Sequence, residues 1–206
     1  MAAETGMCIQ LDTGNATIGE MEEAVDIILS KGNENIIIHH CPSGYPARLN
    51  SINLNVIPTL KRMFPYPIAF SDHSPGWEFD IAAVSLGANL IEKTITEDRT
   101  TRSVEHIFSL EPKSMKLFVQ SIRNLEIALG NNRRKLHQDE IQHRKSYRRS
   151  AFLKTSVKKG QTLKEAHIEF RRPGFGISPK KFELFDELCF SKNLPAEHMI
   201  TFSDLE

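Results

Sequence analysis

Apolar residues recur along this chain with two alternating periods. Met7 to Leu11 is a short strand pattern closed by the turn residues Asp12-Thr13-Gly14-Asn15. Thr17 then offers an N-cap oxygen with Glu20 as its capping-box partner, and Met21, Ala24, Val25, Ile28 and Leu29 give a helical stripe ended at Gly32-Asn33. Ile36-Ile37-Ile38 is apolar on both faces, as a parallel strand covered by helices should be. It runs into the polar loop His39 to Pro46, and Leu54, Ile57, Leu60 and Met63 mark the next helix. A third unit pairs a strand over Pro67 to His73 with a helix over Phe79 to Leu86. A fourth has a strand over Ala88 to Thr96, a long loop over Glu97 to Pro112 and a helix over Ser114 to Leu129, capped by Gly130. Strands alternating with helices at this spacing predict a parallel sheet, which gathers its active groups at the C-terminal ends of the strands.

The pattern then changes. Residues 131–149 carry Arg133, Arg134, Lys135, Arg144, Lys145, Arg148 and Arg149 with little apolar periodicity, which reads as a basic linker. Only Tyr147 interleaves as a stacking residue, so a solvated linker is favoured over a nucleic-acid surface. From 150 onward short strand-like segments return, at Phe152 to Val157 and Ile168 to Phe170. Arg171 to Pro179 follows, then an apolar patch through Leu184 and Leu188, and Ile200 to Leu205 finishes a small separate module. The domain boundaries expected are therefore 1–130, 131–149 and 150–206.

Composition narrows the class. With 206 residues, 40% of them hydrophobic, and a formal net charge of zero, the chain can bury one or two cores and has no global field favouring nucleic acid or acidic membranes. Met1 to Gly14 lacks the pattern of a signal peptide, and no apolar run approaches a membrane span. Cys8, Cys41 and Cys189 have no ligand spacing and read as free thiols, so a cytoplasmic protein is expected.

Two strand ends carry the candidate chemistry. Ala69-Phe70-Ser71-Asp72-His73-Ser74 ends an apolar strand in a polar cluster, and Asn89-Leu90-Ile91-Glu92-Lys93-Thr94 ends another. Ser71 and His73 share one face, as do Glu92 and Thr94, because strand side chains alternate.

These segments resemble the sialic acid synthase family, which condenses phosphoenolpyruvate with an N-acetylhexosamine. Leu11 to Thr17, His40 to Pro46, Ser71-Asp72-His73 and Ser109 to Pro112 resemble its motifs in order. The tail, down to Arg172-Pro173-Gly174-Phe175-Gly176, resembles the antifreeze-like (SAF) domain that closes these enzymes. The resemblance implies an α/β fold in which the four units are strands five to eight of a (β/α)8 TIM barrel, followed by a small β-rich SAF domain. The first four strands are missing, and half a barrel has unpaired edges, so association with a copy of itself or with a separate first half is expected.

The resemblance also implies roles. His73 would help hold a divalent metal, manganese or magnesium, but the family's second metal histidine is Thr94 here, so Glu92 is left to offer an oxygen. Glu92 is the candidate catalytic residue, matching an acidic position near the sugar. Ser43, Tyr45 and Ser71 match positions that contact phosphate or line the site, and Glu105 matches an aspartate that binds sugar hydroxyls. Arg172 matches an arginine that the SAF domain inserts into a partner subunit's site, in a homodimer. Asp12 stands where relatives place a phosphate-binding serine, and a carboxylate there repels phosphate. The expected protein is a synthase of nonulosonic acids, releasing phosphate and inactive alone. The alternative is a non-catalytic sugar-binding or scaffolding relative.

Overall fold

The computed structural model describes residues 1–185 and 187–206, which divide into two compact units, Met1–Asn131 and Asn132–Glu206.

In the first unit four strands, β1 (Ile9–Asp12), β2 (Ile36–His40), β3 (Ile68–Asp72) and β4 (Leu90–Lys93), form one parallel sheet in sequence order. Between them run α1 (Ile18–Ser30), α2 (Leu49–Ile52), α3 (Val56–Met63) and α4 (Glu78–Ser85), and α5 (Pro112–Leu129) follows β4. Thr17 and Glu20 form the capping box read from the sequence: Thr17 Oγ1 accepts from Glu20 N, and Glu20 Oε2 accepts from Thr17 N at 2.7 Å.

Alternation along the strands sorts their side chains into two faces. Ile36, Ile38, Ile68 and Phe70 point to the helices and join Met21, Val25, Ile57 and Leu60 in one core. Each such fully buried side chain contributes about 1.5–3 kcal/mol. The other face carries Gln10 and Asp12 from β1, Ile37 and His39 from β2, Ala69 and Ser71 from β3, and Leu90 and Glu92 from β4. Among the described residues no helix core covers this second face, called the open face below. β1 and β4 are the sheet's edges.

The second unit begins with a departure from the sequence reading. The basic stretch contains a helix, α6 (Gln138–Tyr147), started by a capping box between His137 and Glu140. Its residues are all exposed, so it has no apolar stripe for periodicity to find. β5 (Ser150–Leu153) pairs antiparallel with β6 (Ile168–Arg171), β5 starting two residues earlier than the apolar pattern suggests. Isolated bridges such as Val157–Leu194 and Phe190–Leu205 close the rest around a core of Leu153, Leu163, Ile177, Phe190 and Ile200. A short helix, α7 (Pro179–Phe182), completes the unit. No helix among the described residues is long and apolar enough to cross a membrane.

Candidate functional site

The site is assembled where the strands of the first unit end. After β1 the chain turns at Gly14, whose N–H donates to Asp12 Oδ1 at 2.8 Å. A Cβ on Gly14 would lie 3.2 Å from Ser43 Oγ, 3.3 Å from Asp12 Oδ1 and 3.7 Å from Cys41 Sγ. Glycine is therefore what lets the β1 and β2 ends close on each other. Thr13 Oγ1 donates to His39 O at 2.6 Å and fastens the same junction.

Cys41 is buried between Asp12 and Ser71. Burial first, and then the Asp12 carboxylate, pushes its thiol up to about 11, so it is an inert hydrogen-bonding group rather than a nucleophile.

His73 lies just past β3. Its ring is 4.6 Å from Tyr45 and 6.0 Å from Phe108, centroid to centroid, and Nδ1 is 3.4 Å from Pro42 O. That leaves Nε2 without a hydrogen bond to any described residue. Tyr45 is half exposed, and its phenol is raised by desolvation and by the charges of Cys41, Asp12, Glu105 and Glu92. Those four groups therefore lie within electrostatic reach of one hydroxyl.

Glu92 stands on the open face beside Ser71, its register partner, whose Oγ donates to Glu92 Oε1 at 3.3 Å. Its other oxygen, Oε2, lies 3.2 Å from His39 Nδ1. The structure thus brings together Asp12, Ser43, Tyr45, Ser71, His73 and Glu92, with Glu105 on the loop after β4. Arg172 belongs to the second unit, where its Nε donates to Tyr147 O at 3.0 Å. A Cβ on Gly174 would lie 2.5 Å from Arg148 Cβ, and one on Gly176 only 2.3 Å from Ile200 O, so both glycines of that loop are sterically required.

Two groups escaped the sequence reading. The first is His39, which the run of polar residues after Ile38 hid in a supposed loop, with its partner Gln10 of β1. The second lies on the covered face. Asp72 and Lys93, the middle residues of the two strand-end motifs, are register partners and form an ion pair with side chains 1% and 2% exposed. Lys93 Nζ also donates to Ser74 O at 2.6 Å, and Asp72 Oδ1 accepts from Ser74 N and Oγ at 2.9 and 2.7 Å. Asp80 of α4 points into this pair, with Lys93 Nζ 3.6 Å away and no hydrogen bond to either carboxyl oxygen. Burial, and then the Asp72 charge, pushes the Asp80 carboxyl up to about 8, against the pull of Lys93.

Comparison with known proteins gives this geometry a lineage. The NeuB family model matches residues 1–134. The chain belongs to the NeuB family. This NeuB-family chain is 35% identical over 194 residues to the N,N'-diacetyllegionaminic acid synthase of Campylobacter jejuni, covering 93% of this chain and 58% of that one. Among solved structures it is similar to the N-acetylneuraminic acid synthetase of Leptospira borgpetersenii, crystallised with citrate (36% identity, TM-score 0.63, 71% of this chain and 52% of that one). It is also similar to the spore coat polysaccharide biosynthesis protein spsE of Bacillus subtilis (33% identity, TM-score 0.60, 99% of this chain and 62% of that one). The chain spans 56–60% of the length of the first curated relatives it matches.

Whether this NeuB-family face suits a metal can be asked of its donors. Thr94 Oγ1 is a buried hydroxyl without a hydrogen-bond partner, on the same strand face as Glu92. No cluster of three or more His, Cys, Asp or Glu able to hold an ion occurs among the described residues. A neutral hydroxyl is a poor ligand, so His73 Nε2 with a Glu92 oxygen is what these residues would offer a hard divalent ion that keeps most of its water, such as manganese or magnesium.

Proposed function

We propose that the first unit is half of a synthase barrel, strands five to eight, and that its open face is the acceptor side of a nonulosonic acid synthase site. The carrying observation is the convergence of Ser71, His73 and Glu92 with Asp12, Ser43 and Tyr45 at the ends of adjacent parallel strands. In the reaction proposed, C3 of phosphoenolpyruvate bonds to the aldehyde carbon of an N-acetylhexosamine such as N-acetylmannosamine. Water adds at C2 and inorganic phosphate leaves.

The local charge suits one substrate better than the other. Asp12, Glu92 and Glu105 accept hydrogen bonds from sugar hydroxyls and repel phosphate. Ser43 supplies a neutral donor, Ser71 spends its hydroxyl proton on Glu92, and Tyr45 gives a flat wall against the sugar ring. Glu92, held on both oxygens, accepts a hydrogen bond from an acceptor hydroxyl at its remaining lone pairs, while the proton released as water adds at C2 is the one the former aldehyde oxygen gains. A divalent ion held by His73 Nε2 and a Glu92 oxygen would supply Lewis-acid polarisation of the aldehyde oxygen. Among the described residues, the strand positions on this face, Gln10, Asp12, Ile37, His39, Ala69, Ser71, Leu90 and Glu92, include no lysine or arginine, so in this reading the phosphate of phosphoenolpyruvate is gripped by groups outside them. The second unit takes the role of the SAF domain, and Arg172 on its glycine-pinned loop reaches the acceptor of a partner subunit in a homodimer. The free edges β1 and β4 support pairing with a second chain or with a complementary half.

Isothermal titration of manganese into the chain, beside His73→Ala, tests this reading. Micromolar binding that the variant loses supports it. Absence of binding in both removes the metal-assisted mechanism and favours a non-catalytic sugar-binding or scaffolding protein, a reading that Thr94 and Asp12 motivate.

A further inference from the structure

A polar girdle crosses the open face, one residue from each strand. Gln10 of β1 bonds through its side-chain amide to His39 Nε2 at 2.9 Å. His39 of β2 reaches Glu92 of β4 through Nδ1 at 3.2 Å, and Ser71 of β3 completes the set at Glu92 Oε1. β2 and β4 are not neighbours, so the imidazole must pass over β3. Ala69 makes that passage: it is the register partner of both His39 and Leu90 and is fully buried. A larger side chain there would stand between the ring and the carboxylate.

The exposures assign the roles. The Glu92 side chain is 57% exposed and can meet a ligand, whereas the His39 side chain is 3% exposed and cannot. An exposed glutamate at a strand end ordinarily moves among rotamers. Here one oxygen faces an imidazole N–H and the other a serine hydroxyl, and the imidazole is itself held by Gln10, whose amide can turn to match either tautomer. We propose that His39 is a positioning residue that fixes the Glu92 carboxylate on the open face, with Gln10 orienting the ring and Ala69 giving it passage. This rests on the acceptor-site reading above only for the purpose served, since the coupling of His39 to Glu92 can be read without any ligand.

The test uses the whole chain. Long-range proton–nitrogen spectra of the labelled protein resolve the histidine ring nitrogens, and the His39 signals are those lost in His39→Leu. Glu92→Gln, an isosteric change at an exposed side chain, is expected to move the His39 ring signals and leave the backbone amide spectrum of the second unit unchanged. Unmoved ring signals overturn the proposal. Titration with N-acetyl-D-mannosamine reads the consequence: His39→Leu and Glu92→Gln should each weaken binding about tenfold, and the double variant should be no weaker than either. Losses that add overturn the positioning role. Recovery of binding in His39→Gln, which restores a donor, supports it over loss of packing. If the unaltered chain does not bind this sugar, the acceptor-site reading fails, and the ring-nitrogen spectra alone decide His39.

Discussion

The two faces of the four-stranded sheet carry polar networks drawn from the same short motifs, yet they are built on opposite terms. On the covered face Asp72, Lys93 and Asp80 are sealed in apolar surroundings with side chains at most 2% exposed. On the open face Glu92, Ser71, His39 and Gln10 join by contacts of 2.9–3.3 Å, with Glu92 and Gln10 exposed and Ser71 and His39 buried beneath them. The middle residue of each motif holds two strand ends together, and its flanking residues lie toward the opposite face. Neighbours in sequence thus divide into a fastening and a site, because a strand sends successive side chains to opposite faces.

If that division is right, breaking the fastening should cost most. Lys93→Met leaves Asp72 and Asp80 without their cation and is expected to destabilise the first unit by about 3–5 kcal/mol in urea unfolding. The open-face change Glu92→Gln should cost under about 1 kcal/mol in the same experiment.

The covered face should also have its own pH dependence. Asp80 is raised in the folded chain from the ordinary 3.8 to about 8. Between those values the folded state holds a proton that the unfolded state has released, so stability falls as pH rises from about 4 to about 8 and levels off above. Asp80→Asn, which mimics the protonated acid, should flatten that slope in denaturation midpoints taken across the range.

The open face should be sharpened by changes that leave stability alone. Thr94→His adds a second imidazole beside His73 and is expected to tighten manganese binding at least about tenfold, near 1.4 kcal/mol, by titration calorimetry. The smallest effect expected is that of Asp12→Ser. It should change stability by less than about 0.5 kcal/mol while lowering the Cys41 thiol toward its usual range. Faster alkylation of Cys41 by iodoacetamide would report it, and an unchanged rate would show that burial alone keeps the thiol protonated.

Local signals made much of the first unit legible. The Thr17 and Glu20 cap, the strand-ending turns and the alternation through Ser71-Asp72-His73 are written within a few residues of each other. What stayed hidden depends on register. Nothing near Lys93 in the sequence says that Asp72 is its partner, because that follows from pairing β3 with β4 at one particular offset. His39 was hidden for a related reason. After three isoleucines a histidine pair looks like the start of a loop, and it is the pairing of His39 with Asp12 on one side and Ala69 on the other that keeps it in the strand. The helix over Gln138–Tyr147 escaped because it buries no stripe and is capped by a histidine, an uncommon N-cap.

The manner in which each unit closes bears on how the chain folds while it is being made. In the first unit every strand pairs with the one synthesised just before it, so the sheet can grow as the polypeptide leaves the ribosome. The second unit must wait. Ser150 Oγ accepts from Gly176 N, Ala151 O accepts from Ile200 N, and Asp204 gathers hydrogen bonds or ion contacts from Lys192, His198 and Thr201. Its first strand therefore stays without its final partners until some fifty further residues have been translated. A ribosome stalled before Ile200 would hold four strands already paired while the second unit was still unclosed, and chaperones and proteases would meet the two units at different times.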